Sequence, residues 1–94
     1  MMAPKLESVE EILGSRARIK IMKHLAINKE LSITQIIKLT KLNHANVTHH
    51  LDFLTKQDLV QEKKFGRIKI YRFKTENIRA KSFKGFLSIW ENIL

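Results

Sequence analysis

The 94-residue sequence predicts a mainly α-helical fold that carries one small β-hairpin. Apolar residues recur at three- and four-residue spacing along most of the chain, the spacing of one buried helix face. That period gives way to β-type runs only over residues 59–73, on either side of Phe65 and Gly66. Ser32 and Asn43, residue types that cap helices, stand just ahead of two of the periodic segments. The single proline, Pro4, lies outside all of them, and no repeat or low-complexity tract interrupts the order.

The first predicted helix covers residues 6–13, with Val9, Ile12 and Leu13 at helical spacing and Glu7, Glu10 and Glu11 in its early turns. Acidic side chains there oppose the positive end of the helix dipole. Gly14 ends it. A second helix over residues 15–28 places Ile19, Met22, Leu25 and Ala26 inward and crowds Arg16, Arg18, Lys20 and Lys23 on the remainder. Residues 29–31 form a short link. Ser32 then caps a brief helix, with Gln35 as its capping-box partner and Ile33, Ile36, Ile37 and Thr40 on one face. Residues 41–43 make a tight turn, and Asn43 caps a helix over residues 44–57 that buries Val47, Leu51 and Leu54. Asp58 tolerates the left-handed conformation that ends it. Residues 59–64 and 67–73 follow as two strands joined at Phe65-Gly66. Apolar residues occupy both parities of the second strand, so its inner face stays open. From residue 78 the helical period returns, with Phe83, Phe86, Leu87, Trp90, Ile93 and Leu94 as its stripe.

Two helices joined by a short turn and followed by a hairpin form a helix-turn-helix with a wing: residues 32–57 as the helix pair, 59–73 as the wing. The terminal helices over 6–13 and 78–94 are extra to that unit, and a chain of this length has room for one domain, residues 1–94.

Charge narrows the partners. Lys and Arg number 18 against 9 Asp and Glu, a net +9, and such a field attracts polyanions. With no cysteine, disulfides, thiolate metal sites and cysteine nucleophiles are excluded. No apolar run approaches the roughly 18 residues that span a bilayer. The first five residues, MMAPK, lack a secretory signal, so a cytoplasmic protein without membrane contact is expected. Nothing resembles a paired-carboxylate site, a phosphate-binding glycine loop or an activated nucleophile, so no enzyme activity and no cofactor are expected.

On the helix of residues 44–57, the face opposite Val47 carries Ala45, Asn46, His49 and Lys56, flanked by His44 and Thr48. Short and polar side chains approach base edges closely. Asn pairs with adenine, and the methyls of Ala and Thr pack on thymine. His44, Ala45, Asn46, Thr48 and His49 are therefore the candidate base-reading residues of a double-stranded DNA partner. Lys63, Lys64, Arg67 and Lys69 on the hairpin are candidate backbone contacts, although lysines on a strand edge also serve to block aggregation. His44, His49 and His50 do not make a metal site, because His49 and His50 diverge on a helix and no carboxylate or cysteine stands at ligand spacing. The apolar terminal stripe, Phe83, Phe86, Leu87, Trp90, Ile93 and Leu94, exceeds what a small body buries. It predicts a homodimer interface shared with Leu6, Val9 and Leu13, and with it a palindromic DNA site.

Segment by segment, residues 12–73 resemble the ArsR-type branch of winged helix-turn-helix transcription regulators. Residues 15–25, SRARIKIMKHL, are similar to that family's opening helix, with Arg18 at its recurrent arginine. The stretch 31–36, LSITQI, is similar to the entry of its supporting helix, and 42–51, LNHANVTHHL, to its recognition helix. Asp58-Leu59-Val60 stands where the family usually has Gly-Leu-Val, and 66–73, GRIKIYRF, is similar to its wing. The resemblance implies a homodimer that joins through its terminal helices and regulates transcription, with repression as the expected direction. Many members sense metals, but the thiolate site falls near residues 31–35, where this chain has no cysteine. The family's other site needs His and Asp on the terminal helix, and residues 78–94 hold neither. No metal is carried over, and no small-molecule effector is identified. Two other functions fit the same pattern: a chromatin-organising protein with little sequence preference, and a winged-helix module that binds protein or RNA.

Overall fold

The computed structural model describes residues 6–92. Ser15 opens the first long helix by accepting the Arg18 N–H at 3.2 Å. This helix, α2 (Arg16–Asn28), turns Ile21, Met22, Leu25 and Ala26 into the core. A shorter helix, α1 (Val9–Leu13), precedes it. It begins three residues later than the sequence pattern predicts. Ser8 is extended and caps it by accepting from the Glu11 N–H, so Leu6 lies outside the helix and only Glu10 and Glu11 meet its positive end. Gly14 is required at the α1–α2 corner, since a Cβ there would stand 2.3 Å from the Glu10 carbonyl oxygen.

The predicted link at residues 29–31 is in fact a strand. Lys29 takes φ 72, and β1 (Glu30–Ser32) pairs antiparallel with β3 (Ile68–Phe73), which pairs in turn with β2 (Val60–Phe65). The hairpin is thus two strands of a three-stranded sheet ordered β1-β3-β2. Leu31, opposite Tyr71, joins the buried side of that sheet. The open parity of β3 is settled by burial: Tyr71 and Phe73 face the core, while Ile68 faces solvent. The hairpin loop is Gly66-Arg67, one residue later than expected, because Phe65 still pairs with Ile68. Gly66 supplies the positive φ, 61°, that a two-residue hairpin loop demands.

Between β1 and β2 lie α3 (Ile33–Thr40) and α4 (His44–Lys56). Ile36, Val47, Leu51 and Leu54 are wholly buried and pack with Ile21 and Leu25 of α2. Asp58, at φ 62, turns the chain out of α4 into the sheet, as a left-handed C-terminal residue does. The last helix, α5 (Ile78–Trp90), ends four residues short of the expected 94, where Asn92 takes φ 53; it is capped by Asn77 and buries Ala80, Phe83 and Leu87, and the Phe83 and Phe73 rings meet at 6.2 Å. Phe83 and Leu87 therefore belong to the core of their own chain. No helix among the described residues is long and apolar enough to cross a membrane.

Candidate nucleic-acid interface

The α3–α4 pair is fixed by local hydrogen bonding. Ser32 Oγ accepts the Gln35 N–H at 3.2 Å, and Gln35 Oε1 accepts the Ser32 N–H at 2.8 Å, completing a capping box. Thr40 donates to the Ile36 carbonyl at 2.7 Å, and Lys41, left-handed at φ 60, starts the turn into α4. Asn43 Oδ1 accepts the Asn46 N–H at 2.8 Å. The N-terminal turn of α4 is thus held in one orientation before any ligand arrives.

His44, Ala45, Asn46 and His49 all face solvent on α4. Thr48 is half-buried, and its hydroxyl is shielded from solvent with no hydrogen-bond partner, so as placed it offers no donor to a groove. One residue of this face escaped the sequence reading. Asp52 is exposed one turn beyond His49, a spacing already visible as Ala45, His49, Asp52, Lys56. A carboxylate there repels phosphate, whereas the exposed Lys56 one turn further attracts it. Lys41, exposed in the turn, adds a cation that the sequence reading also passed over.

Behind α4, Arg18 is buried to 8% exposure. Its Nε donates to His50 Nδ1 at 3.3 Å, its Nη1 donates to the Glu11 carbonyl, and its guanidinium lies 3.7 Å over the Phe53 ring. One side chain therefore joins α1, α2 and α4. Burial, then the neighbouring Arg18 and His49, hold the His50 imidazole below the usual histidine range. Its ring is 5.2 Å from that of His49. Among the described residues, no group of three or more metal-ligating side chains converges.

The wing cations divide into two classes. Lys63 pairs with Glu30 at 2.5 Å and Lys69 with Glu62 at 3.6 Å. Glu62 also accepts from the Tyr71 hydroxyl at 2.9 Å, and burial with this contact pushes the phenol pKa up. Lys64 and Arg67 are exposed, and no ion pair to either occurs among the described residues. Exposed pairs such as Lys63–Glu30 contribute about 0–1 kcal/mol, so phosphate competes with them readily.

The terminal stripe is split. Of the residues at this end, Leu6 and Val9 are exposed, Leu13 is half-buried, and Phe83 and Leu87 are in the core. Phe86 is 45%, Ile89 81% and Trp90 75% exposed, with the Phe86 and Trp90 rings 5.2 Å apart. Ile93 and Leu94 lie outside the described residues. An apolar groove of about 290 Å³ opens beside Phe86, lined also by Val9, Leu13, Met22 and Leu59.

Comparison with known proteins places this arrangement. The model of the bacterial regulatory protein, arsR family, matches residues 15–62, just over half of the chain. Among solved structures, PagR, a transcriptional repressor of Bacillus anthracis, is 25% identical with a TM-score of 0.70, over 82% of this chain and 85% of its own. AntR, an antimony-specific transcriptional repressor, is 17% identical with a TM-score of 0.73, over 87% of this chain and 73% of its own. A predicted DNA-binding transcriptional regulator from E. coli is 16% identical with a TM-score of 0.73, over 92% of this chain and 85% of its own. The fold is the winged helix-turn-helix of these regulators.

Proposed function

Because the chain belongs to the arsR family of bacterial regulatory proteins, which regulate transcription by binding DNA, we propose that it recognises a specific double-stranded sequence as a homodimer and represses transcription there. The observation that carries this reading is the first half of α4. Asn43 and the buried Val47, Leu51 and Leu54 hold it rigidly, and it presents His44, Ala45, Asn46 and His49 outward. In the major groove, Asn46 would pair with an adenine edge, Ala45 would meet a thymine methyl, and the two histidines would donate or accept. Thr48 joins them once its hydroxyl is turned outward by a rotamer change. Lys64 and Arg67, with Lys63 and Lys69 released from their carboxylates, would set the register on the phosphates.

The homodimer reading is supported by the exposed Phe86, Ile89 and Trp90 beside Leu6, Val9 and Leu13. Apolar area of that size, at about 25 cal/mol per Å², favours burial against a second copy. Ile93 and Leu94 would extend the same interface, and Phe83 and Leu87 would support it from beneath. Two-fold symmetry then sets two α4 helices about 34 Å apart on a palindromic site. Residues 1–94 would act as one unit in the cytoplasm, where the operator is. Repression follows if the occupied site overlaps a promoter, and PagR and AntR are both described as repressors.

The net +9 favours a second reading, a DNA-packing protein with little sequence preference. Selection of bound duplexes from a random pool, followed by competition against a scrambled duplex of equal composition, separates the two. A regulator prefers its selected site by roughly 10³-fold or more. Equal affinity for selected and scrambled duplexes would establish the packing role instead.

A further inference from the structure

The end of the wing departs from what a phosphate-contacting hairpin needs. Register puts Phe65 directly opposite Ile68, on either side of the Gly66-Arg67 loop. Side chains alternate across a sheet. Val60, Tyr71 and Phe73 are buried toward the helices, so Phe65 and Ile68, of the opposite parity, project from the other side. They are 63% and 58% exposed. Two large apolar side chains paired across the end of a protruding hairpin are an unfavourable surface in water unless something covers them.

The surrounding charge bears on what would cover them. Residues 63–69 read KKFGRIK; Lys63 and Lys69 pair with Glu30 and Glu62, while Lys64 and Arg67 are exposed with no ion pair among the described residues. Like charges on two such tips repel, so a second copy of the chain is a poor occupant. A polyanion is a good one, provided that it offers apolar surface between its charges. The minor groove of duplex DNA does so: phosphates line its rims, and deoxyribose and base edges line its interior. Lys64 and Arg67 match the rims, and Phe65 with Ile68 matches the interior. Apolar side chains delivered to that groove open base steps and bend the duplex.

We propose that the wing tip is an apolar wedge, in which Phe65 and Ile68 enter the minor groove beside the site bound by α4 and bend the DNA. This rests on the DNA-binding reading above. It adds a preference that α4 does not supply: the wedge favours a flexible pyrimidine–purine step, such as TA or CA, at a fixed distance from the α4 contact.

The test uses the full chain and a selected duplex labelled with a fluorophore at each end, so that energy transfer reports the bend. The parent protein bends the duplex by roughly 20–90°. A Phe65→Ser/Ile68→Ser variant still binds, with an unchanged salt slope because no cation is lost. Its bend disappears, and its affinity falls on the order of ten-fold. Phe65→Leu retains the bend, which separates an apolar wedge from a general loss of structure. Equal bending and affinity for the parent and the double variant would overturn the wedge alone. Failure of the parent to bind any duplex at low salt would overturn the DNA reading and the wedge together. Phe65-dependent binding to phosphatidylglycerol vesicles, with no Phe65 dependence on DNA, would also overturn it and assign the tip to an anionic lipid surface.

Discussion

Helices α4 and α5 have the same length, 13 residues, and each is capped by an asparagine, Asn43 or Asn77, yet they show solvent opposite surfaces. Helix α4 buries Val47, Leu51 and Leu54, covers Phe53 with the Arg18 guanidinium, and leaves mostly polar and charged groups outside. Helix α5 buries Ala80, Phe83 and Leu87 and still exposes Ile78, Phe86, Ile89 and Trp90. The core is the same for both helices, so the difference lies in their outer faces. A face of polar groups suits a hydrated, hydrogen-bonding ligand. A face of large apolar groups suits another protein surface. Substitutions on the two helices should therefore have separable consequences.

The largest effect belongs to α5. Changing Phe86, Ile89 and Trp90 together to Ser should abolish self-association in a sedimentation concentration series. Operator affinity should fall about 10²–10⁴-fold, since the second half-site loses its tethered partner. Thermal stability should become independent of protein concentration. Truncating the helix is a poorer test, because it would also remove Phe83 and Leu87 from the core. An unchanged sedimentation profile would remove the distinction between the helices.

Next in size is the bracket behind α4. Arg18→Ala leaves the Glu11 carbonyl and His50 without their donor and uncovers Phe53. Loss of these charge-assisted contacts should lower stability by about 1.5–3 kcal/mol in urea titrations. Arg18→Lys should not restore it, since an ammonium cannot make the same fork while lying over the ring. A urea midpoint equal to that of the parent would show that α4 is held by its apolar contacts alone.

On the outer face of α4, Asn46→Ala or His49→Ala should cost about 1–3 kcal/mol on the selected site and much less on random DNA. Dimerisation should not change. Equal losses on both duplexes would show that this face does not read bases.

The smallest effect is a pH dependence of folding. His50 is held low chiefly by burial and then by Arg18 and His49, and His24 is lowered by burial and by Lys23 and Lys20. The folded protein therefore binds fewer protons than the unfolded chain just below about pH 6.5, the ordinary histidine value. Stability is full above that pH and declines as pH falls through the window to the lowered folded values. His50→Gln, which keeps an acceptor for Arg18, should flatten the decline between pH 7 and 5.5 in urea titrations. An identical slope for parent and variant would exclude His50 as a contributor.

Local chemistry made much of this fold legible. Ser32 with Gln35, Asn43, and Asp58 each satisfy a specific backbone need, and each marks a boundary that the structure shows. What depends on tertiary pairing was not legible. A three-residue strand such as β1 has no period of its own, and only Tyr71 opposite Leu31 reveals it. Both parities of β3 are apolar, with Ile68 and Ile70 on the side opposite Tyr71 and Phe73 and next to the start of α3, so alternation alone does not choose. The loop slipped by one residue because Phe65 looks like a turn neighbour but pairs with Ile68. For the candidate site, Asn46 and His49 follow from the helical wheel. The opposing charge of Asp52 was in the sequence too, but its exposure on the same face becomes decisive only with α4 in place.

The central claim is that α4 meets DNA and α5 meets a second copy of the chain. Its most direct test is the mass of the protein alone and on a selected palindromic duplex, by sedimentation equilibrium. The account predicts two chains in the free protein and two chains per duplex. Asn46→Ala should weaken only the second assembly, and the Phe86, Ile89 and Trp90 replacements should dissolve the first. A parent chain that stays monomeric at high concentration and binds the duplex singly, with undiminished affinity, would contradict it.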